Sequence, residues 1–366
     1  MRNLPRISFG IIVLNGEPFM RYNLRGLYPF AHQIIVAEGA GPKAAHAATP
    51  DGHSIDGTLD VLRRFKAEED PEDKVLIVTS EDEGNPNGFW LGAKDEQSQA
   101  YAKRATGDWL WQIDIDEFYQ PQDMQRVCDY LLTHPASTCL TFNAHHFWGG
   151  FDYLVEGGLF MSYGFQCAPW GAYRRLFKWG PGYRYVTHEP PCVLNASGRE
   201  ITHVKCNITR ALGPNGPRLY HYFMVFPEPV FRKSRLYDNM GWRHETEAAG
   251  NPQFSNEERQ RRLFAQLTDR DRFRIFTHHG THNWLRRFTG SHPPTIAQLI
   301  NDLQNSRRPC AMRRTDDIER ILRTPGYQRR TAWLWYWELG KQTVALAVRL
   351  SKKQIKRLLR MPVGSC

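Results

Sequence analysis

The sequence predicts an α/β chain: a mainly parallel sheet flanked by helices, with a helical extension toward the C-terminal end. Three observations carry that expectation. Short β-rich runs alternate with stretches of helical spacing up to residue 118, the pattern of β-α units whose strands pair in parallel. The last of those runs, residues 109–113, is apolar and stops at Asp114, Asp116 and Glu117, three carboxylates within four residues. Beyond residue 226 the strand signals give way to charged segments of helical composition.

Residues 7–14, Ile-Ser-Phe-Gly-Ile-Ile-Val-Leu, read as the first strand because β-branched and aromatic side chains fit a pleated, buried surface. The turn Asn15-Gly16-Glu17-Pro18 ends it, and Met20, Leu24 and Leu27 share one face of the helix that follows. A second strand, residues 32–37, ends at Glu38. After a Gly/Ala/Pro/His-rich loop, Ser54 or Asp56 offers an N-cap for a helix with Leu59, Leu62 and Phe65 on one face. Residues 74–79 make a third strand, residues 90–105 a helix, and residues 106–118 the strand that carries the acids. Sheets of this kind bind ligands beyond the carboxyl ends of their strands, where Glu38, the loop after Thr79, Asp114 and Asp116 fall.

Carboxylates at alternate positions of an extended chain point the same way, so Asp114 and Asp116 are expected to converge on one hard divalent cation, Mg²⁺ or Mn²⁺. Such an ion, held by one or two carboxylates, keeps positions open for diphosphate oxygens, which points to a nucleotide-sugar site. Farther along, Tyr173-Arg174-Arg175-Leu176-Phe177-Lys178 leads through Gly180 and Gly182 to Val186-Thr187-His188-Glu189. Arg218-Leu219-Tyr220-His221-Tyr222-Phe223 follows.

With these motifs in this order, the chain resembles the GT-A glycosyltransferases, most closely the family 2 type, over residues 7–225. The resemblance rests on the first strand and its turn, on Ser54-Ile55-Asp56-Gly57-Thr58 after the second strand, and on the Asp-x-Asp at the end of the fourth. The stretch from Arg175-Leu176-Phe177 to His188-Glu189 and the His-containing strand add to it. It implies a nucleobase contact from Glu38 and donor-nucleotide contacts from Asp56, Lys94 and Asp114, with Gln97 nearby. It implies metal ligation by Asp114, Asp116 and His221, and it makes Glu189 the base of an inverting transfer. That base would activate an acceptor hydroxyl opposite the leaving diphosphate. The chain departs from the type at residues 39–53, an insertion where typical members pass almost directly to the Ser-x-Asp-Gly-Thr element. For Glu189 the structural alternative is an ion pair with Arg174, Arg175 or Arg184, and Asp152 and Glu156 are the next candidates for the base. The aromatics Phe147, Trp148, Phe151, Tyr153, Phe160, Tyr163, Phe165 and Trp170 suit an acceptor groove, although core packing is their commoner use.

At 366 residues, 41% hydrophobic and 23% charged, the composition is that of a globular enzyme with room for more than one unit. The expected division is a GT-A-like domain over residues 1–225, a helical extension over 226–304 on the acceptor side, and a basic amphipathic segment over 305–366. From residue 305 onward there are 15 Lys/Arg against 4 Asp/Glu, a net of +11. The total of +10 leaves residues 1–304 at −1. Trp333, Leu334, Trp335, Tyr336 and Trp337 precede a stripe of Val344, Val348, Ile355 and Leu359 with Arg349, Lys352, Lys353, Lys356, Arg357 and Arg360 beside it. That combination suits the surface of a membrane carrying anionic lipid, or else a helix packed on the enzyme with its basic face outward. Glu338, Lys341 and Gln342 interrupt the apolar run that a spanning helix needs.

Seven cysteines without a C-x-x-C pair, and no apolar signal-like run after Met1, lead to the expectation of a cytoplasmic protein, peripheral on the membrane's cytoplasmic face if the tail binds there. His278-His279-Gly280-Thr281-His282 lacks the spacing of a zinc site and reads as a loop. The expected partners are a nucleotide-diphosphate sugar and a glycan or lipid-linked acceptor. A sugar nucleotidyltransferase is the rival enzyme class, but the Gly-rich basic phosphate loop it requires is missing after the first strand. A non-catalytic protein gripping membrane or nucleic acid would have to do so through the tail alone, and nucleic acid is disfavoured.

Overall fold

The computed structural model describes residues 4–157, 172–241, 255–275, 282–305 and 311–358. Phe160, Tyr163, Phe165, Trp170, His278, His279, Leu359 and Arg360 lie outside the described residues. So do the side chains of Arg349, Lys352, Lys353, Ile355, Lys356 and Arg357.

Strands β1 (Ile7–Val13), β2 (Gln33–Glu38), β3 (Val75–Val78) and β4 (Trp109–Asp114) pair in parallel in the order β3-β2-β1-β4. Helices α1 (Met20–Leu27), α2 (Thr58–Glu68) and α3 (Ala93–Arg104) connect them. β1 is apolar apart from Ser8 because both its faces are covered, the rule for a central parallel strand. Ile7, Phe9 and Ile11 have no exposed surface and pack with Leu24, Leu62 and Trp111. Burying each such side chain contributes about 1.5–3 kcal/mol. On the other face Ile35 and Leu110 pack with Tyr101 of α3. Gly10 allows that approach: a Cβ there would lie 2.3 Å from the Tyr101 ring.

After β4 come β5 (Glu117–Phe118), α4 (Pro121–Thr133), β6 (Cys139–Trp148), β7 (Tyr153–Glu156), β8 (Tyr173–Lys178), β9 (Arg184–Thr187), β10 (Cys192–Leu194), β11 (Lys205–Asn207), α5 (Ile208–Ala211) and β12 (Arg218–Met224). β8 runs antiparallel between β4 and β6, and β12 runs parallel to β6 and antiparallel to β5. The sheet is thus parallel in its first half and mixed beyond it, within the layered α/β class that the sequence predicts.

The remaining elements are α6 (Pro227–Asn239), α7 (Asn256–Ala265), β13 (Trp284–Arg287), α8 (Pro294–Gln304), α9 (Asp316–Leu322) and α10 (Tyr327–Leu358). The region read as wholly helical therefore contains a strand. β13 pairs antiparallel with β7 and extends the main sheet; four residues are too few to show a period in the sequence. Trp148 and Val155 of the sheet bury against Val230, Leu263, Phe264, Ile318 and Leu334, so the C-terminal helices share a core with the sheet's far edge.

Candidate active site

β4 ends at Asp114. Ile115 and Asp116 form a turn, and Glu117 begins β5, so the two aspartates do not share an extended strand as the sequence pattern implied. Each has its own partner. Arg175 of β8 reaches Asp114 Oδ2 at 2.9 Å and clasps Glu117, with Nε 2.8 Å from Oε2 and Nη2 2.5 Å from Oε1. Glu117 has no exposed surface, and burial pushes its carboxyl up although Arg175 opposes this. Burial also works to raise Asp114, but Arg175, then His188, Lys94 and Lys233, hold it well below the usual carboxylate range.

Asp116 faces β12, its Oδ1 3.4 Å from His221 Nε2, while its backbone carbonyl accepts from Tyr222 N at 2.9 Å. Burial raises the Asp116 carboxyl, but His221 and Lys233 outweigh it and the net direction is down. The rings of His146 on β6 and His221 are 5.5 Å apart. Burial pushes His145 down to about 3 and His146 well below the ordinary imidazole value, so both are neutral. The oxygen and nitrogen of Asp116 and His221 sit close to the separation of neighbouring ligands on one ion, roughly 3 Å for metal–ligand bonds of about 2.1 Å. Among the described residues no group of three or more His, Cys, Asp or Glu gathers for a metal. Two such donors would leave the other positions of a hard cation to water and substrate oxygens.

Three further groups surround the acids. Glu189, just past β9, is exposed, and its partner is Lys94 at 3.8 Å rather than Arg174, Arg175 or Arg184. A pair so long and so exposed contributes about 0–1 kcal/mol, which leaves the carboxylate open to solvent. His188 beside it is fixed by α3: its backbone N donates to Asp95 Oδ1 at 2.7 Å, and its Nδ1 lies 2.8 Å from Ser98 Oγ. Its Nε2 is 4.0 Å from Asp114 Oδ1, and burial brings it down to about 4. Lys233 of α6 stands exposed within electrostatic reach of Asp116, Asp114 and Glu189.

The donor residues expected nearer β1 and β2 are otherwise engaged. Glu38 is fully buried, Oε1 accepting from Ser54 N and Oε2 from His53 Nδ1, both at 2.8 Å. His53 Nε2 lies 3.3 Å from Glu81 Oε1. A buried carboxylate must find its donors internally, and the end of the insertion folds back so that His53 and the following Ser54 supply them. A nucleobase can reach Glu38 only if that segment moves. Gly52 and Gly88 let the insertion lie against the loop after β3, since a Cβ on Gly52 would fall 1.9 Å from Gly88 O. Asp56 accepts from Glu17 N and from Thr58 N and Oγ1, bracing the turn after β1 against the start of α2. Gln97 donates to Gly39 O at 2.9 Å from a buried position.

Phe147, Trp148, Phe151 and Tyr153 are buried in the core. Glu156 pairs with Arg286 across β7 and β13. His282 turns toward Glu338 of α10. Sequence reading missed the Arg175–Glu117 clasp, His188, His146, His53 and Lys233. Glu117 alone carried a signal, as an acid closing an apolar run and therefore in need of a cation.

The parallel strands lie in the order β3-β2-β1-β4, with the acids at the end of β4. No protein-family model matches the chain, and no curated protein does. Among solved structures, TarS of S. aureus aligns at a TM-score of 0.36 and 14% identity over 71% of this chain and 42% of that one. TarS residues 1–349 in complex with UDP-GlcNAc align at 0.29 and 14% over 39% of this chain and 35% of that one. Glucosyl-3-phosphoglycerate synthase of M. tuberculosis, in complex with Mn²⁺, UDP and glucosyl-3-phosphoglycerate, aligns at 0.28 and 17% over 40% and 45%. The chain thus covers less than half the length of each of these proteins.

Proposed function

We propose that this chain is a GT-A-type glycosyltransferase that moves a sugar from a nucleotide-diphosphate sugar to a glycan or lipid-linked acceptor, with inversion, in the cytoplasm. The observation that carries the reading is the Asp116–His221 pair at the carboxyl end of the parallel strands, with Asp114, Lys94 and Glu189 around it. Asp116 and His221 would hold Mn²⁺ or Mg²⁺, with Asp114 beside them, and the bound ion supplies positive charge to the leaving diphosphate.

The chain's own residues supply the rest. Lys94 can hold donor phosphate once it leaves its weak pair with Glu189. Glu189 then takes the acceptor hydroxyl's proton, on a carboxylate whose ion-pair partner is that exposed lysine. Arg175, itself held in place by Glu117, keeps the Asp114 carboxylate ionised and aimed. A screen of nucleotide sugars for donor hydrolysis by the purified protein tests this. Hydrolysis of at least one donor that stops on chelation of divalent cations is the expected outcome; no turnover or binding of any donor, with or without Mn²⁺, would overturn it.

A further inference from the structure

Helix α10 runs for 32 residues, about 48 Å at 1.5 Å per residue, and only one side of its N-terminal half is held by the protein. Tyr327, Leu334 and Glu338, spaced by seven and four, are buried. The Tyr327 hydroxyl donates to Leu285 O at 2.9 Å, and Glu338 accepts from Lys341 at 2.7 Å and from His282 N at 3.3 Å.

Another side of the helix is bare. Trp333, Tyr336, Trp337, Val344 and Val348 are 60%, 70%, 52%, 64% and 47% exposed. Their spacing of three, one, seven and four residues keeps them on one face. Trp333 and Trp337 stack in solvent with centroids 5.7 Å apart and planes at 13°. An apolar stripe of this size on a water-facing surface marks a docking site, and Trp and Tyr favour boundaries where one end is apolar and the other wet.

The charge around it identifies the occupant. Residues 305–366 carry a net +11 while the preceding 304 are near neutral, and Arg329, Arg330 and Lys341 are exposed along the helix. A second copy would bring the same positive charge against itself. Nucleic acid would leave Val344 and Val348 without a partner. No described helix is long and apolar enough to cross a membrane. We propose that the Trp333–Val348 face of α10 lies in the interfacial layer of a bilayer containing anionic lipid, with the basic side chains over the headgroups.

Co-sedimentation of the full chain with vesicles of phosphatidylcholine, alone or with phosphatidylglycerol, tests this. Binding is expected to the mixed vesicles, to weaken in high salt, and to fall about tenfold or more in Trp333→Ser/Tyr336→Ser/Trp337→Ser. Val344→Ser/Val348→Ser should weaken it to a lesser degree. Circular dichroism and thermal melting of both variants should match the parent, because the altered side chains are exposed. Equal sedimentation of parent and triple variant would overturn the proposal. So would a concentration-dependent dimer that the triple variant abolishes, or salt-sensitive binding to single-stranded nucleic acid without vesicle binding.

Discussion

Asp116 Oδ1 lies 3.4 Å from His221 Nε2, joining the turn after β4 to a strand that returns beside it much later in the chain. If the pair holds the cation, Asp116→Asn should lower Mn²⁺-dependent affinity for nucleoside diphosphates by at least about 100-fold. His221→Ala should do likewise. Titration calorimetry with and without Mn²⁺ measures this, and melting temperature checks the fold. Unchanged metal-dependent binding in Asp116→Asn would remove that residue from the metal.

Glu189→Gln keeps the shape of the side chain and removes its basicity. Turnover should drop by about 10²- to 10⁴-fold with donor KM within a few-fold of the parent. Stability should not change, because the 3.8 Å pair with Lys94 is exposed at both ends. A variant that lost donor affinity and turnover together would instead place Glu189 in donor binding.

The first half of the fold was legible because its signals are local. Met20, Leu24 and Leu27 predict α1, and Leu59, Leu62 and Phe65 predict α2, since burial on one face of a helix leaves its period in the sequence. Asp114, Asp116, Glu189 and His221 could be singled out from the sequence because motif order carries them. What stayed hidden depends on register. Arg175 reads as one basic residue among several until β8 pairs with β4, Trp111 opposite Leu176, and brings its guanidinium beside Glu117. Lys233 enters only because α6 begins directly after β12. The insertion hid the fate of Glu38, since nothing local in residues 39–53 says that His53 turns back onto β2.

The His53 bridge should be sensitive to pH. Burial works to lower its pKa, but Glu38 and Glu81 win and hold it above the ordinary imidazole value. With the folded value above the unfolded one, the bridge stabilises the insertion fully below about pH 6.5, and that stabilisation disappears as pH rises through the folded value. Deprotonation breaks the pairing with Glu81, because a neutral ring can still donate from Nδ1 to Glu38 but no longer from Nε2. After correction for intrinsic rates, amide exchange over residues 39–53 should rise across that transition in the parent and stay level in His53→Gln. Level exchange in both proteins would show that the ring's charge does not hold the insertion.

The clasp between Arg175 and Glu117 makes a prediction about stability. Arg175→Met leaves Glu117 without a countercharge in a site that has no exposed surface, a loss of about 3–5 kcal/mol for a broken buried pair. Replacing both partners with apolar residues, Arg175→Met with Glu117→Leu, removes the stranded charge and should restore most of that loss. Urea unfolding of the parent, the single and the double variant measures the difference. Burial already pushes the Glu117 carboxyl up, so in the single variant it should take up a proton readily, and the deficit should shrink as pH falls. A double variant as unstable as the single one, with no pH dependence in either, would trace the loss to the packing of the arginine stem rather than to its charge.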